Sequence, residues 1–300
     1  MSKKIQKVKV KSMSSNRRKS LFSWVFLLPS LLGVATFFVA PFIVVIYYSM
    51  INNPIQKNFV GFTNFVNVWT NDAFRQAGIN TMKFSLVAVP LAVVISLFLA
   101  AIMESRIPFK SYFRSTFLSP LMVPTASVVL IWQVLFNYNG LVNEVMMKFG
   151  AQRIDFLKSE QEQIVIVVLF LWKNLGYNMI LFMAALSSIP KELIEVAELE
   201  NASKWQIFWY IKLRYMSSTV LFVSIMSLIN SFKVFREIYL MTGDYPYSSL
   251  YMLQHFMNNT FASLDYQKLS SAAIIMFIVV SVLVYIMYSV ENMYGKDVEG

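Results

Sequence analysis

Six separate runs of this 300-residue chain are apolar over a length close to the ~20 residues that an α-helix needs to cross a bilayer. They are roughly Leu21–Tyr48, Thr81–Met103, Tyr112–Phe136, Gln163–Leu186, Met216–Leu240 and Leu269–Val290. In hydrocarbon every backbone N–H and C=O must find a partner inside the protein, so runs of this length predict helices. Composition agrees. The chain is 57% hydrophobic and 14% charged, against about 25% charged in an ordinary soluble domain. The expected fold class is all-α integral membrane, with six transmembrane helices. The first run is longer than the ~7–15 residues of a secretory signal core, and no A-x-A-like site follows it, so an uncleaved helix is expected there. Pro29, Pro41, Pro90, Pro120 and Pro124 interrupt the runs. Such breaks fit simple kinking or a bundle with an internal cavity, and the prolines alone do not choose between them.

The net charge of +10 would suit nucleic acid, but its placement argues against that. Lys3, Lys4, Lys7, Lys9, Lys11, Arg17, Arg18 and Lys19 crowd the first 20 residues without one acid. A basic block beside an apolar run marks the cytoplasmic flank of a membrane helix and favours contact with membrane lipid. With the N-terminus inside, the inner segments carry sixteen Lys and Arg: the eight above, then Arg106, Lys110, Arg114, Lys191, Lys204, Lys212, Arg214 and Lys296. The outer loops carry seven: Lys57, Arg75, Lys83, Lys148, Arg153, Lys158 and Lys268. The bias predicts a multi-pass membrane protein with both termini in the cytoplasm. The chain divides into a basic tail (1–20), a six-helix transmembrane domain (21–291) and a C-terminal tail (292–300).

Several chemistries are excluded. There is no Cys, hence no disulfide or thiolate nucleophile, and the single His255 cannot build a His-rich metal site. No paired carboxylates or Ser/His/Asp set sit together, so catalysis is not expected. Asp244 and Asp265 read as solvated loop residues and His255 as a packing residue.

The wettest long stretch of the second half is "ELIEVAELENASKWQIFWYIKL", Glu192 to Leu213. It lacks Gly and Pro, so helix is permitted. Leu193, Ile194 and Ala197 share one face, with Glu192, Glu195, Glu198 and Glu200 around the rest. Asn201 offers a break because Asn visits the left-handed region, and Ser203 can cap a second helix. Trp205, Phe208 and Trp209 share a face of that helix. Two short helices at the inner surface are expected. An acidic helix would be repelled by an anionic leaflet, so a protein partner explains it better than an interfacial linker does.

These residues carry a family resemblance. "IPKELIEVAELENASKWQIFWYIKLRYM" resembles the cytoplasmic coupling loop of importer-type ABC permeases, in particular the binding-protein-dependent carbohydrate permeases of the maltose and glycerol-phosphate type. Glu195, Val196 and Ala197 match the Glu-Ala-Ala positions. Asn201 stands where the family has Gly, and Arg214 where it has Pro. "GFTNFVNVWTND", "FLWKNLGYNMILFMAALSSIP" and "SFKVFREIYLMTGDYP" are also similar to the family, so the likeness spans nearly the whole chain from about Leu21.

The resemblance implies a type I ABC importer fold with a helix-turn-helix loop over 188–214. It implies partners: a second homologous permease, a cytoplasmic ATPase dimer, an extracytoplasmic solute-binding protein and a carbohydrate. It implies that Glu195, Val196, Ala197, Asn201 and Ala202 dock on the ATPase in a helix-in-groove contact. ATP and Mg then belong to the partner: Gly295-Lys296 is the chain's sole Gly-Lys pair, and Val290 stands where a phosphate-binding loop needs its first Gly. Charged residues at membrane depth mark pathways. Carrying over the family's fourth- and fifth-helix positions gives Lys173, Asn174, Tyr177, Asn230, Phe232 and Lys233 as substrate-contacting residues. Lys173 and Lys233 are expected there as uncompensated ammonium groups, suiting an oligosaccharide that is neutral or acidic. Pairing with Glu237 is the structural alternative for the lysines, and for Arg236 the two readings are level. An ion-coupled secondary transporter is the competing functional class; it would show repeated halves and buried acids for the coupling ion, whereas here the acids cluster in loops and Glu104 and Glu237 stand near helix ends.

Overall fold

Helices laid side by side can approach closely only where side chains are small, and the second span supplies such a stripe. Ala88, Ala92, Ser96 and Ala100 recur every fourth residue and all are fully buried. The computed structural model describes residues 26–104, 110–157 and 161–295. The basic tail, residues 21–25 of the first run, Arg106, Lys158 and Lys296 lie outside the described residues. Six helical spans are long and apolar enough to cross a membrane: Phe26–Ser49, Asp72–Glu104, Thr125–Lys148, Glu162–Ser188, Ser217–Thr242 and Tyr266–Met293. Six were expected, and the differences have local causes.

The first span, α1 (Phe26–Ser49), holds a π-helical turn at Ala35–Val39 just before Pro41. The wider turn accommodates a residue that has no N–H to give. A short helix α2 (Thr63–Trp69) leads into α3 (Asp72–Glu104). Helix α3 begins nine residues before the expected Thr81, because Asn71 Oδ1 caps the Phe74 N–H at 3.1 Å. Arg75 and Lys83, assigned to an outer loop by sequence, therefore lie on a helix.

The third run is not one helix. It forms α4 (Lys110–Met122) and α5 (Thr125–Phe136), separated at Val123-Pro124, where the residue before proline is held out of the α region. The spanning unit is α5 followed by α6 (Leu141–Lys148).

Helix α7 (Glu162–Ser188) packs along α3 and forms the centre of the bundle. Helix α4 crosses α7 at Gly176, where an added Cβ would lie 1.8 Å from the Phe117 carbonyl oxygen. Glycine is required there by the close approach of two backbones.

The fifth span breaks into α10 (Ser217–Phe232) and α11 (Phe235–Thr242). Between α7 and α10 lie α8 (Lys191–Leu199) and a helix α9 over 204–215 with a π-helical middle at Ile207–Lys212. Helix α12 (Leu253–Ala262) and the last span α13 (Tyr266–Gly295) close the chain.

Polar pairs pin the helices where apolar burial gives no orientation. Ser85 and Ser231 share a hydrogen bond of 2.8 Å between α3 and α10, and Asn178 donates to Ser227 at 2.9 Å between α7 and α10. Asn80 donates to the Ser248 and Tyr251 carbonyls, holding the segment that leads into α12. Lys212 is paired with Glu104 at 2.6 Å, tying α9 to the end of α3.

Candidate functional site

The break between α10 and α11 opens a cavity of about 790 Å³. Lys173 and Asn174 of α7, Asn230 of α10, Lys233 in the break, Arg236, Glu237 and Tyr239 of α11, and Gln254 of α12 all line it. Two charges stand at the break in keeping with the helix dipoles. Lys233 caps the C-terminal, partially negative end of α10, and Glu237 stands in the first turn of α11, at its partially positive end.

Four of the six positions carried over from the resemblance meet here: Lys173, Asn174, Asn230 and Lys233. Asn230 Nδ2 donates to Asn174 Oδ1 at 2.9 Å, and Asn174 Nδ2 donates to the Phe170 carbonyl at 2.8 Å. The two amides form a fixed pair between α7 and α10.

The other two positions do not face this cavity. Phe232 packs beside Val68, Phe74, Leu253 and Phe256, and it lines a separate apolar cavity of about 490 Å³. One residue of helix rotates a side chain by ~100°, which turns Phe232 away while Lys233 faces in. Tyr177 lies one turn beyond Lys173, next to the Gly176 crossing, and is outside the cavity lining.

The expected charge state also changes. Lys173 Nζ is hydrogen-bonded and ion-paired to Glu237 Oε1, so Lys173 is not an uncompensated ammonium group. Glu237 is buried, in the first turn of α11 and within the fifth span. Its charge is met by Lys173. Arg236, Glu237, Tyr239 and Gln254 join the lining without having been assigned to a site from the sequence. The signal for Arg236 and Glu237 was present, since charge inside an apolar run is itself informative. Gln254 had no such signal.

His255, beside Gln254, is fully buried and stacks edge-on against Phe235 at 4.6 Å between ring centroids. Its Nδ1 accepts the Met252 N–H at 3.2 Å. Burial lowers its pKa to about 4, opposed by Asp244, so it is a neutral packing residue at physiological pH. Asp244 and Asp265 are exposed.

A second feature lies outside the six spans. Helix α8 turns Ile194 toward the core and packs it beside Met183, Leu186 and Met216. Leu193, Val196 and Leu199 stay exposed, as does Glu195. The expected single apolar face is thus divided, with Ile194 and Ala197 inward and Leu193 outward. Helix α8 ends in a Schellman motif. Asn201 has φ +61°, its N–H reaches the Glu198 carbonyl at 3.0 Å, and the Ala202 N–H reaches the Ala197 carbonyl at 2.9 Å. Ser203 and Gln206 form a reciprocal capping box that starts α9. Trp205, Phe208 and Trp209 pack edge to face. Arg214 does not end the helix where the family has Pro; α9 runs on to Tyr215.

Comparison with known proteins decides the class. The family described as binding-protein-dependent transport system inner membrane component matches residues 89–293. The chain belongs to this family. It is a multi-pass membrane component of a binding-protein-dependent ABC transport system, and the ion-coupled alternative is left without support. Among similar proteins, a lactose transport system permease protein of Rhizobium radiobacter is 26% identical, over 89% of this chain and 92% of that protein. A multiple sugar-binding transport system permease protein of Streptococcus mutans is 28% identical, over 87% and 92%. An sn-glycerol-3-phosphate transport system permease protein of Pectobacterium atrosepticum is 28% identical, over 92% and 97%. In fold, the chain resembles a bacterial ABC transporter involved in import of the acidic polysaccharide alginate. The TM-score is 0.81 at 20% identity, covering 93% of this chain and 98% of that one. A second structure, of the alginate transporter in complex with an alginate pentasaccharide-bound periplasmic protein, gives a TM-score of 0.79. The fold is that of these type I importer permeases.

Proposed function

We propose that this chain is the permease subunit through which a carbohydrate, an oligosaccharide delivered by an extracytoplasmic binding protein, crosses the membrane. A separate cytoplasmic ATPase dimer that holds ATP and Mg drives the step. The observation that carries the reading is the exposed helix Lys191–Leu199, with Leu193, Val196 and Leu199 bare outside the six spans. A short amphipathic helix with an uncovered apolar face and charged flanks fits a groove on another protein. Both termini and the loop 188–214 then face the cytoplasm, in keeping with the Lys/Arg bias. Glu195, Val196, Ala197, Asn201 and Ala202 form the docking element. Asn201 and Ala202 act through the turn they build, whereas Glu195 meets a basic group on the ATPase.

The relatives' sugar and sugar-phosphate transport names support a carbohydrate cargo. The cavity's chemistry supports it too. Asn174, Asn230 and Gln254 offer amides for hydroxyl groups, and Tyr239 and Phe235 offer aromatic surface for the apolar face of a sugar ring. The test is uptake by proteoliposomes holding this chain, its partner permease, the ATPase and the binding protein. ATP-dependent accumulation of an oligosaccharide is expected. Uptake driven by an ion gradient without ATP, or no uptake of any carbohydrate, overturns the reading.

A further inference from the structure

The cavity between α7 and α11 is unbalanced in charge. Lys173, Lys233 and Arg236 supply three cations and Glu237 the single carboxylate. Lys173 and Glu237 satisfy one another. Among the described residues neither Lys233 nor Arg236 has an ion-pair partner. Both lie within the fifth span, line the cavity and are exposed. Cations at this depth are costly against lipid and are found facing a bundle interior or a water-filled path.

Helix electrostatics do not explain both. Lys233 is helped by the carbonyl end of α10, which it caps. Arg236 is in the first turn of α11, the end where a cation is disfavoured. Helix electrostatics give its charge no stabilisation there.

We propose that this cavity selects an anionic oligosaccharide, one carrying carboxylates of the uronate kind, over its neutral counterpart. The proposal rests on the carbohydrate-permease reading above. The Arg236 guanidinium offers a planar fork that matches a carboxylate two bonds at a time. Lys233 offers a point charge beside it. The Asn174–Asn230 pair leaves Asn230 Oδ1 uncommitted to accept a sugar hydroxyl. Each cation gains in the cavity a counter-charge that the described chain does not give it.

The test compares uptake of a galacturonic acid trisaccharide and its carboxyl-reduced, neutral form by proteoliposomes of the complete transporter. The wild-type chain and the variants Lys233→Gln, Arg236→Gln and Arg236→Lys are measured side by side. The wild type is expected to take up the acidic trisaccharide. Each Gln variant should lower uptake of the acidic form roughly tenfold to a hundredfold more than uptake of the neutral form, the worth of a charged hydrogen bond. Arg236→Lys keeps the charge but loses the fork, so its uptake of the acidic form should fall between the wild type and Arg236→Gln, which also shows that the site tolerates change without misfolding. Uptake of the neutral form alone by the wild type overturns the proposal and leaves the carbohydrate reading standing. Equal loss of both substrates, or loss of neither, also overturns it. Failure to take up any carbohydrate overturns both readings.

Discussion

Removing the Lys173 ammonium would leave Glu237 without its counter-charge inside the fifth span. The two side chains are 23% and 9% exposed, so the pair is largely but not fully shielded from water. Breaking a fully buried pair from one side costs about 3–5 kcal/mol, because the remaining charge is stranded. With Lys173 partly wet, Lys173→Gln should destabilise by roughly 2 kcal/mol. Lys173→Gln combined with Glu237→Gln should recover most of that, since two amides can replace the ion pair. Thermal melting of the detergent-solubilised transporter decides, and a double variant no more stable than the single one removes the pair from the account. Both residues were visible in the sequence as charges within apolar runs. Pairing with Glu237 stood in the sequence as the structural alternative for the lysines, and Lys173 is the one that takes it; which lysine would do so was not legible, because the partners lie 64 positions apart and the facing sides of two helices are set by packing. The turn at Asn201 was legible for the opposite reason. Its bonds reach only Glu198 from Asn201 and Ala197 from Ala202, so the local sequence determines it.

At the scale of elements, the helix Lys191–Leu199 is the part whose alteration should leave the bundle intact. Ile194 anchors it to Met183, Leu186 and Met216, and Glu195 points away from that anchor into solvent. Glu195→Lys therefore inverts a surface charge without touching the packed face. Membrane insertion and yield should be unchanged, while ATP-dependent uptake falls at least tenfold; this is about 1.4 kcal/mol of lost coupling contact. Measuring transport and ATP hydrolysis together checks it, and normal transport would show that Glu195 takes no part in coupling. Elements of this kind were legible because capping and turn signals are short-range. The spans were legible as apolar lengths, yet the third failed as one helix because hydropathy does not see backbone. Pro124 and the residue before it, Val123, do the breaking, and α4 becomes a separate helix crossing α7 at Gly176. Phe232 was misplaced for a related reason. Charge and aromaticity mark a helix as part of a pathway, but one residue of rotation decides which side of it the ring occupies.

At the scale of the whole molecule, the proposed assembly makes this chain half of an enclosure. Lys233 and Arg236 are exposed where they line the cavity. We propose that a second permease covers them, since the chain carries one candidate coupling loop where an ATPase dimer would offer two grooves. Two identical copies would place Lys233 and Arg236 of one opposite the same cations of the other across the path. Like charges juxtaposed away from bulk water cost several kcal/mol, so self-pairing is disfavoured. The expected assembly is a heterodimer with a related permease lacking this cationic pair, bound to the ATPase dimer. Native mass spectrometry of the complex purified through a tag on this chain should show one copy of it per two ATPase subunits. Two copies of this chain per ATPase dimer, with full substrate-stimulated ATP hydrolysis, would show that the cavity tolerates four cations and that this charge argument for a distinct partner fails.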